Sequence, residues 1–191
     1  MRIGMFGGAF DPPHNAHVAM ARAAVEQLKL DQLRVMLTGN AWHKTRQLTD
    51  AKDRVAMARL AFESLPKTVV DEREVKRAGA TYTVDTLREL RAEFTQALLF
   101  LIIGEDQAAA FTTWREWAEI MKMATVCVAQ RKAVRPGPVE GLPFTPLQLP
   151  SMPVSATDIR AKAAKGEDIS LLVPPPVASY IAHHHLYRGN R

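Results

Sequence analysis

Short apolar runs that end in glycine or a turn alternate along this chain with stretches patterned at the period of a helix. Ile3–Phe6 runs into Gly7-Gly8, Leu33–Leu37 is closed by Thr38-Gly39-Asn40, and Leu98–Ile103 ends in Gly104. Thr68–Val70 and Thr125–Ala129 are further strand candidates. Between them, His17–Leu28 carries Val18, Ala21, Val25 and Leu28 on one stripe, and Asp50–Leu65 carries Val55, Ala58, Phe62 and Leu65. Asp50 is placed as an N-cap, Pro66 ends that pattern, and Thr83–Phe94 repeats it with Val84, Leu87, Leu90, Arg91 and Phe94. Strand and helix signals in strict alternation predict an α/β fold: a doubly wound, mostly parallel sheet with helices on both faces. Ligands of such sheets sit beyond the carboxyl ends of the strands, so unusual residues there carry the functional signal.

The remaining third of the chain departs from this rhythm. Six prolines and two glycines between Arg135 and Pro153 imply an irregular connection holding a strand at Phe144–Leu149. Ser155-Ala156-Thr157-Asp158 has the form of a capping box, which opens a helix to Lys165. A last helix, Val177–Leu186, begins after Pro174-Pro175-Pro176. At 191 residues the chain is expected to be one domain, 1–191, whose part from about 154 to 191 completes the site. A content of 47% hydrophobic and 24% charged residues is that of a globular protein and excludes disordered or collagen-like chains. Ala97–Ile103, the longest strongly apolar stretch, falls far short of the ~20 residues of a membrane span. A single cysteine, Cys127 in an apolar run, forbids an internal disulfide and predicts an inert buried thiol in a cytoplasmic protein. The formal charge of +5 favours anionic partners, but the basic residues are scattered and no stacking platform or nucleic-acid motif accompanies them.

Two constellations carry chemistry. The first is Gly7-Gly8-Ala9-Phe10-Asp11-Pro12-Pro13-His14-Asn15-Ala16-His17, between the first strand and the first helix. Glycines there let backbone approach a ligand, and a helix N-terminus offers free amides to phosphate. His14 and His17, three apart, face the same way on a nascent turn and make a site for charge developing on phosphate. The alternative for an isolated HxxH is a pair of histidines that merely cap the helix. The second is Val154-Ser155-Ala156-Thr157-Asp158-Ile159-Arg160, a capped helix start presenting amides and a guanidinium to an anion.

The first segment resembles the GGxFDPxHxGH signature of the nucleotidylyltransferase superfamily, with Ala16 at the position usually held by glycine. The second is similar to that family's ISxTxIR motif, with Val154 in place of isoleucine. Asp71-Glu72-Arg73-Glu74 with Tyr82-Thr83-Val84-Asp85-Thr86-Leu87, Phe100–Asp106 with Phe111-Thr112-Thr113-Trp114, and Leu172–Val177 with Tyr180-Ile181 look like segments of bacterial nicotinate-mononucleotide adenylyltransferases. The resemblance spans essentially the whole chain. It implies transfer of the adenylyl group of ATP to nicotinate mononucleotide, giving deamido-NAD and pyrophosphate without a covalent intermediate. ATP binding falls to Gly7, Gly8, Ala9, Phe10, His14, His17, Gly104, Asp106, Ser155, Thr157, Ile159 and Arg160, with Asp106 on a ribose hydroxyl. Nicotinate mononucleotide falls to Tyr82, Thr83, Trp114, Lys44 and Arg131, with Trp114 on the pyridine ring and Thr83 at its carboxylate. His14, His17, Lys44 and Arg160 act on the transferring phosphates. Mg²⁺ is the implied cofactor, held by ATP phosphates and water and by no dedicated side-chain site; neither Glu105-Asp106 nor His183-His184-His185 reads as a metal site. The Asn40–Thr49 loop lacks the two prolines relatives often carry beside His43-Lys44. Three alternatives stay open: a sister transferase using nicotinamide mononucleotide or phosphopantetheine, a catalytically silent nucleotide sensor, and a nucleic-acid-binding module. The oligomeric state is left open.

Overall fold

The computed structural model describes residues 1–39, 48–130 and 141–188. Six strands form one sheet: β1 (Arg2–Gly8), β2 (Gln32–Leu37), β3 (Thr68–Asp71), β4 (Leu98–Gly104), β5 (Ala124–Gln130) and β6 (Thr145–Gln148). Their order is β3-β2-β1-β4-β5-β6, and each of the five pairings is parallel. The chain winds outward from β1 to one edge, returns, and winds to the other. The order therefore reverses between β1 and β4, and a crevice opens there at the carboxyl edge.

Period-two alternation divides each inner strand between two cores. Phe6, Phe100, Ile102, Cys127 and Ala129 face one of them, packed under α1 (Asn15–Gln27), α2 (Ala51–Phe62), α7 (Ala156–Ala164) and α8 (Pro175–His183). Ile3, Met5, Leu99, Leu101, Ile103, Val126 and Val128 face the other, under α4 (Thr83–Glu93) and α6 (Trp117–Met123). Inner strands buried on both sides read as continuous apolar runs, which is why Leu98–Ile103 stands out in the sequence. Burial pushes the Cys127 thiol up to about 11, so the expected inert thiol is found.

Caps and stops fall where the residues place them. Asp50 accepts from the Lys52 amide at 3.0 Å, and Ser155 Oγ accepts from the Asp158 amide at 3.1 Å. The buried face of α2 is wider than the expected stripe: Ala58, Phe62 and Leu65 are buried as expected and Val55 is partly covered, while Arg54, Met57 and Ala61 join them. A guanidinium thus stands on the core face, because Arg54 has carbonyls to meet there. Three helices escape the apolar periodicity for want of length: α3 (Arg73–Lys76), α5 (Glu105–Ala109) and α6. Gly39 explains how α3 docks on the end of β2. A Cβ at residue 39 would lie 2.0 Å from the Glu74 carbonyl oxygen, so the approach needs glycine.

Candidate active site at the carboxyl edge of the sheet

Two clefts open along this edge and share one wall residue, Ala9. The first, about 630 Å³, lies between the β1–α1 loop and the start of α7. Phe10, Asp11, His14, His17, Thr157 and Arg160 line it. The second, about 510 Å³, lies between the ends of β1 and β4 and the start of α4, and is lined by Gly7, Gly8, Glu74, Thr83, Asp106 and Trp114 among others.

The first cleft is built on a loop fixed at both ends. Phe10 has φ +47, a left-handed conformation that costs a bulky residue of order 1 kcal/mol, and full burial of its ring offsets this. The ring meets His17 and Phe62 edge-on, with centroids 5.1 and 5.3 Å away. His14 is the N-cap of α1 and stacks on His17 at 3.6 Å between centroids. The His14 amide donates to His17 Nδ1 at 3.2 Å. Acceptance at Nδ1 places the proton of neutral His17 on Nε2, a donor at the edge of the cleft. The capping reading of the histidine pair is met: His17 caps the loop through Nδ1.

Asp11 is the anchor of the loop. It is 2% exposed; Oδ1 accepts from Tyr187 Oη at 2.7 Å and Oδ2 from the Thr49 amide at 3.1 Å. Its carbonyl accepts from Arg160 Nη1 at 2.8 Å, while Arg160 Nη2 donates to Thr157 Oγ1 at 3.2 Å. Burial, and then the Asp11 carboxylate beside it, drive the Tyr187 hydroxyl far above its ordinary pKa, so it stays a donor. Behind the loop, Arg54 donates to the carbonyls of Ala9, Thr38 and Thr49 at 3.1, 2.9 and 3.0 Å. One side chain thus holds the ends of β1 and β2 and the entry to α2.

In the second cleft Tyr82 is the N-cap of α4, and the Arg115 guanidinium lies 4.6 Å over its ring. Trp114 packs on the buried Phe111 at 5.4 Å and is only partly covered, which leaves ring surface toward the cleft. Glu74 is 3% exposed and accepts from Thr86 Oγ1 at 2.7 Å. Burial pushes its carboxyl up to about 7, against the lowering effects of the Thr86 bond and of Arg77.

A cleft lined by histidines, hydroxyls and a guanidinium thus meets, at Ala9, a cleft with an aromatic wall. The cytidylyltransferase-like family matches residues 5–162. The chain belongs to that family. Its relatives include a protein of Albidiferax ferrireducens, 53% identical over 98% of each chain, and one of Methylibium petroleiphilum, 42% identical over 100% of this chain and 94% of the relative. Both bear the name "Probable nicotinate-nucleotide adenylyltransferase". Among solved structures, nicotinic acid mononucleotide adenylyltransferase of Plasmodium falciparum complexed with APC superposes with a TM-score of 0.80 at 18% identity, covering 97% of this chain and 96% of its own. The same protein complexed with NaAD also gives 0.80. These superpositions identify the fold as the Rossmann-like one of nucleotidyltransferases.

Within this family fold, the residues named from sequence divide between the clefts. Ala9, Phe10, His14, His17, Ser155, Thr157 and Arg160 line the first. Tyr82, Thr83 and Trp114 line the second, and with them lie Gly7, Gly8 and Asp106, which the sequence reading grouped with the first set. Gly104 and Ile159 line neither: Gly104 is the N-cap of α5, and Ile159 is fully buried, because its position on α7 faces the core. The Ser155 hydroxyl donates to Asp158 at 2.6 Å. Lys44 and Arg131 lie outside the described residues. Asp11 and Glu74, which stand inside the sequence motifs without an assigned role, line the clefts, and Arg54 and Tyr187 hold the loop from behind. Arg54 leaves a faint signal in the sequence, as a charge four residues before Ala58 on the core-facing stripe. Among the described residues no group of three or more His, Cys, Asp and Glu is placed to hold a metal, and no helix is long and apolar enough to cross a membrane.

Two outcomes follow from this geometry. Tyr187→Phe removes a donor from a buried carboxylate, and urea unfolding should register a loss of about 1–3 kcal/mol. An unchanged midpoint would mean that Tyr187 does not hold Asp11. For Glu74 the folded-state pKa is raised, so the stability contributed by the neutral acid is complete below its unfolded pKa of 4.5 and is lost as pH rises through about 7. Glu74→Gln has no proton to lose. Its stability relative to the parent should rise by up to about 3 kcal/mol between acid and mildly alkaline pH, and a pH-independent difference would show that Glu74 does not titrate there.

Proposed function

We propose that this chain transfers the adenylyl group of ATP to nicotinate mononucleotide, releasing pyrophosphate and deamido-NAD in NAD biosynthesis. Full-length identity of 53% to a relative bearing that name supports the reading, and the meeting of the two clefts at Ala9 carries it structurally. ATP lies with its phosphates along the first cleft, and the mononucleotide lies in the second with its phosphate toward Ala9. An oxygen of that phosphate attacks the α-phosphorus in line. The bond from the α-phosphorus to the bridging oxygen breaks, and the electron pair leaves with pyrophosphate.

No side chain needs to act as nucleophile, so the rate comes from positioning and from charge stabilisation. His17 Nε2 and His14 serve the transferring group, while Arg160 and the first amides of α7 serve the leaving phosphates. Lys44 and Arg131 are assigned phosphate contacts. Mg²⁺ bound by the triphosphate and water would supply further charge neutralisation there, while the chain's own residues supply the donors. The stretch from about 154 to 191 belongs to the same catalytic domain, 1–191, because α7 walls the first cleft and Tyr187 holds Asp11. Trp114 stacks on the pyridine, Thr83 reads its carboxylate, and Asp106 takes a ribose hydroxyl. The buried single thiol suits the cytoplasm, where such a biosynthetic enzyme works.

Pyrophosphate release should be followed with ATP and Mg²⁺ against nicotinate mononucleotide, nicotinamide mononucleotide and phosphopantetheine. A large preference for the first is expected. Preference for another acceptor would keep the chemistry and overturn the substrate, and silence with all three despite ATP binding would leave a nucleotide sensor. His17→Ala should lower turnover by about 10²-fold or more while the protein stays folded. Full activity in that variant would remove His17 from the transfer step.

A further inference from the structure

Glu74 has no part in the transfer step, yet it is a carboxyl group built into the wall of the second cleft. Its surroundings are unusual for an acid. It is 3% exposed, and among the described residues no lysine, arginine or histidine bonds to it; its partner is the Thr86 hydroxyl. That hydroxyl is itself oriented by Arg77, whose Nη1 donates to Thr86 Oγ1 at 3.1 Å while Nη2 is held by Glu89 at 2.6 Å. A buried carboxylate without a bonded cation is costly, so the neutral acid is the favoured form. Thr86 lies three residues after Thr83 on α4, and the two share a helix face that puts Glu74 beside the first turn of that helix. The first turn of α4 also presents amides and the positive end of the helix dipole to an anion.

We propose that Glu74 is a specificity-determining residue of the second cleft. As a neutral acid it donates a hydrogen bond toward an anionic carboxylate on the acceptor's ring, and as an anion it repels that carboxylate and favours a carboxamide. The inference rests on the acceptor assignment made above and adds what selects acid over amide. A proton on Glu74 supplies a donor where the ring carboxylate needs one, much as a buried protonated carboxyl donates in other enzyme sites. Loss of that proton sets two negative charges against each other in a site shielded from water. The charged groups around it pull in both directions: Asp71 of β3 and Glu89 of α4 favour the neutral form, and Arg77 after α3 favours the anion. Asp106 and Arg115 line the same cleft.

The ratio of kcat/KM for nicotinate mononucleotide to that for nicotinamide mononucleotide isolates this group. Titration of groups that serve both acceptors alike, the phosphates among them, cancels. In the parent the ratio should fall about tenfold from about pH 6 to about pH 8, as a group with a midpoint near 7 gives up its proton. In Glu74→Gln, which keeps an oxygen for the Thr86 hydroxyl and is neutral throughout, the ratio should be flat. A flat ratio in the parent, or a Gln variant that tracks the parent, overturns the proposal. Calorimetry on the unmodified protein gives an independent test. Above neutral pH, nicotinate mononucleotide should take up about one more proton on binding than the amide does, read from the dependence of binding heat on the buffer. Equal uptake overturns the proposal too. Failure of the acceptor assignment looks different: nicotinate mononucleotide would then be a poor acceptor even near pH 6, where the ratio starts at its highest.

Discussion

The carboxyl edge of the sheet is held by one buried guanidinium. Arg54 is 2% exposed and reaches carbonyls of Ala9, in the β1–α1 loop, and of Thr38 and Thr49, at the two ends of the β2–α2 connection. A guanidinium fits this task because its donors leave in fixed directions from one plane. Its burial is tolerable only while those donors are met, so the two loops are coupled: displacing one leaves a charged donor unsatisfied. The rim is therefore set before a ligand arrives. Stabilising charge at a transferring phosphate depends on donors that need not reorganise when the charge appears.

Topology decides where the rim matters. With β1 between β2 and β4, the β1–α1 loop stands at the reversal of strand order. One side of the loop looks under α1 and α7, and the other looks toward α4 and the 105–117 segment. A single loop therefore serves both clefts, and Ala9 faces both. The start of α7 closes one cleft from the side, and Tyr187, beyond α8, reaches 176 residues back to hold Asp11.

Local chemistry was readable from the chain and long-range partnership was not. Inner strands buried on both faces announced themselves as apolar runs, Asp50 and Ser155 marked helix starts, and the glycine pair with two histidines marked the loop. Each of these signals is a property of a few neighbouring residues. The buried face of α2 is wider than its apolar stripe, because Arg54 counts as polar in the sequence, whatever its aliphatic stem and bonded head do in the fold. Ile159 sits inside a functional motif and yet faces the core, since a motif's spacing does not say which side a helix turns inward. Asp106 stands at the end of β4 as expected, but the cleft it lines depends on how α5 leaves that strand. Tyr187 and Asp11 share nothing in sequence that would pair them.

Two acids three residues apart show how far partnership outweighs burial. Asp71, 8% exposed, is bonded by Arg34 at 2.8 Å and by Arg73 at 3.0 Å. Burial alone would raise its pKa, but those two guanidinium groups hold it below the ordinary carboxylate value. Glu74 has comparable burial and a single hydroxyl, and goes the other way. The cations are not scarce here; Arg73 and Arg77 are committed to Asp71, Glu89 and Glu93 on the outer side of the same layer. The ion pairs that satisfy the surface of β3 and α4 thus leave Glu74, on the cleft side, with no bonded cation among the described residues. The second cleft therefore sets a carboxyl without a bonded cation beside Asp106 and Arg115, where the first presents histidines, hydroxyls and a guanidinium.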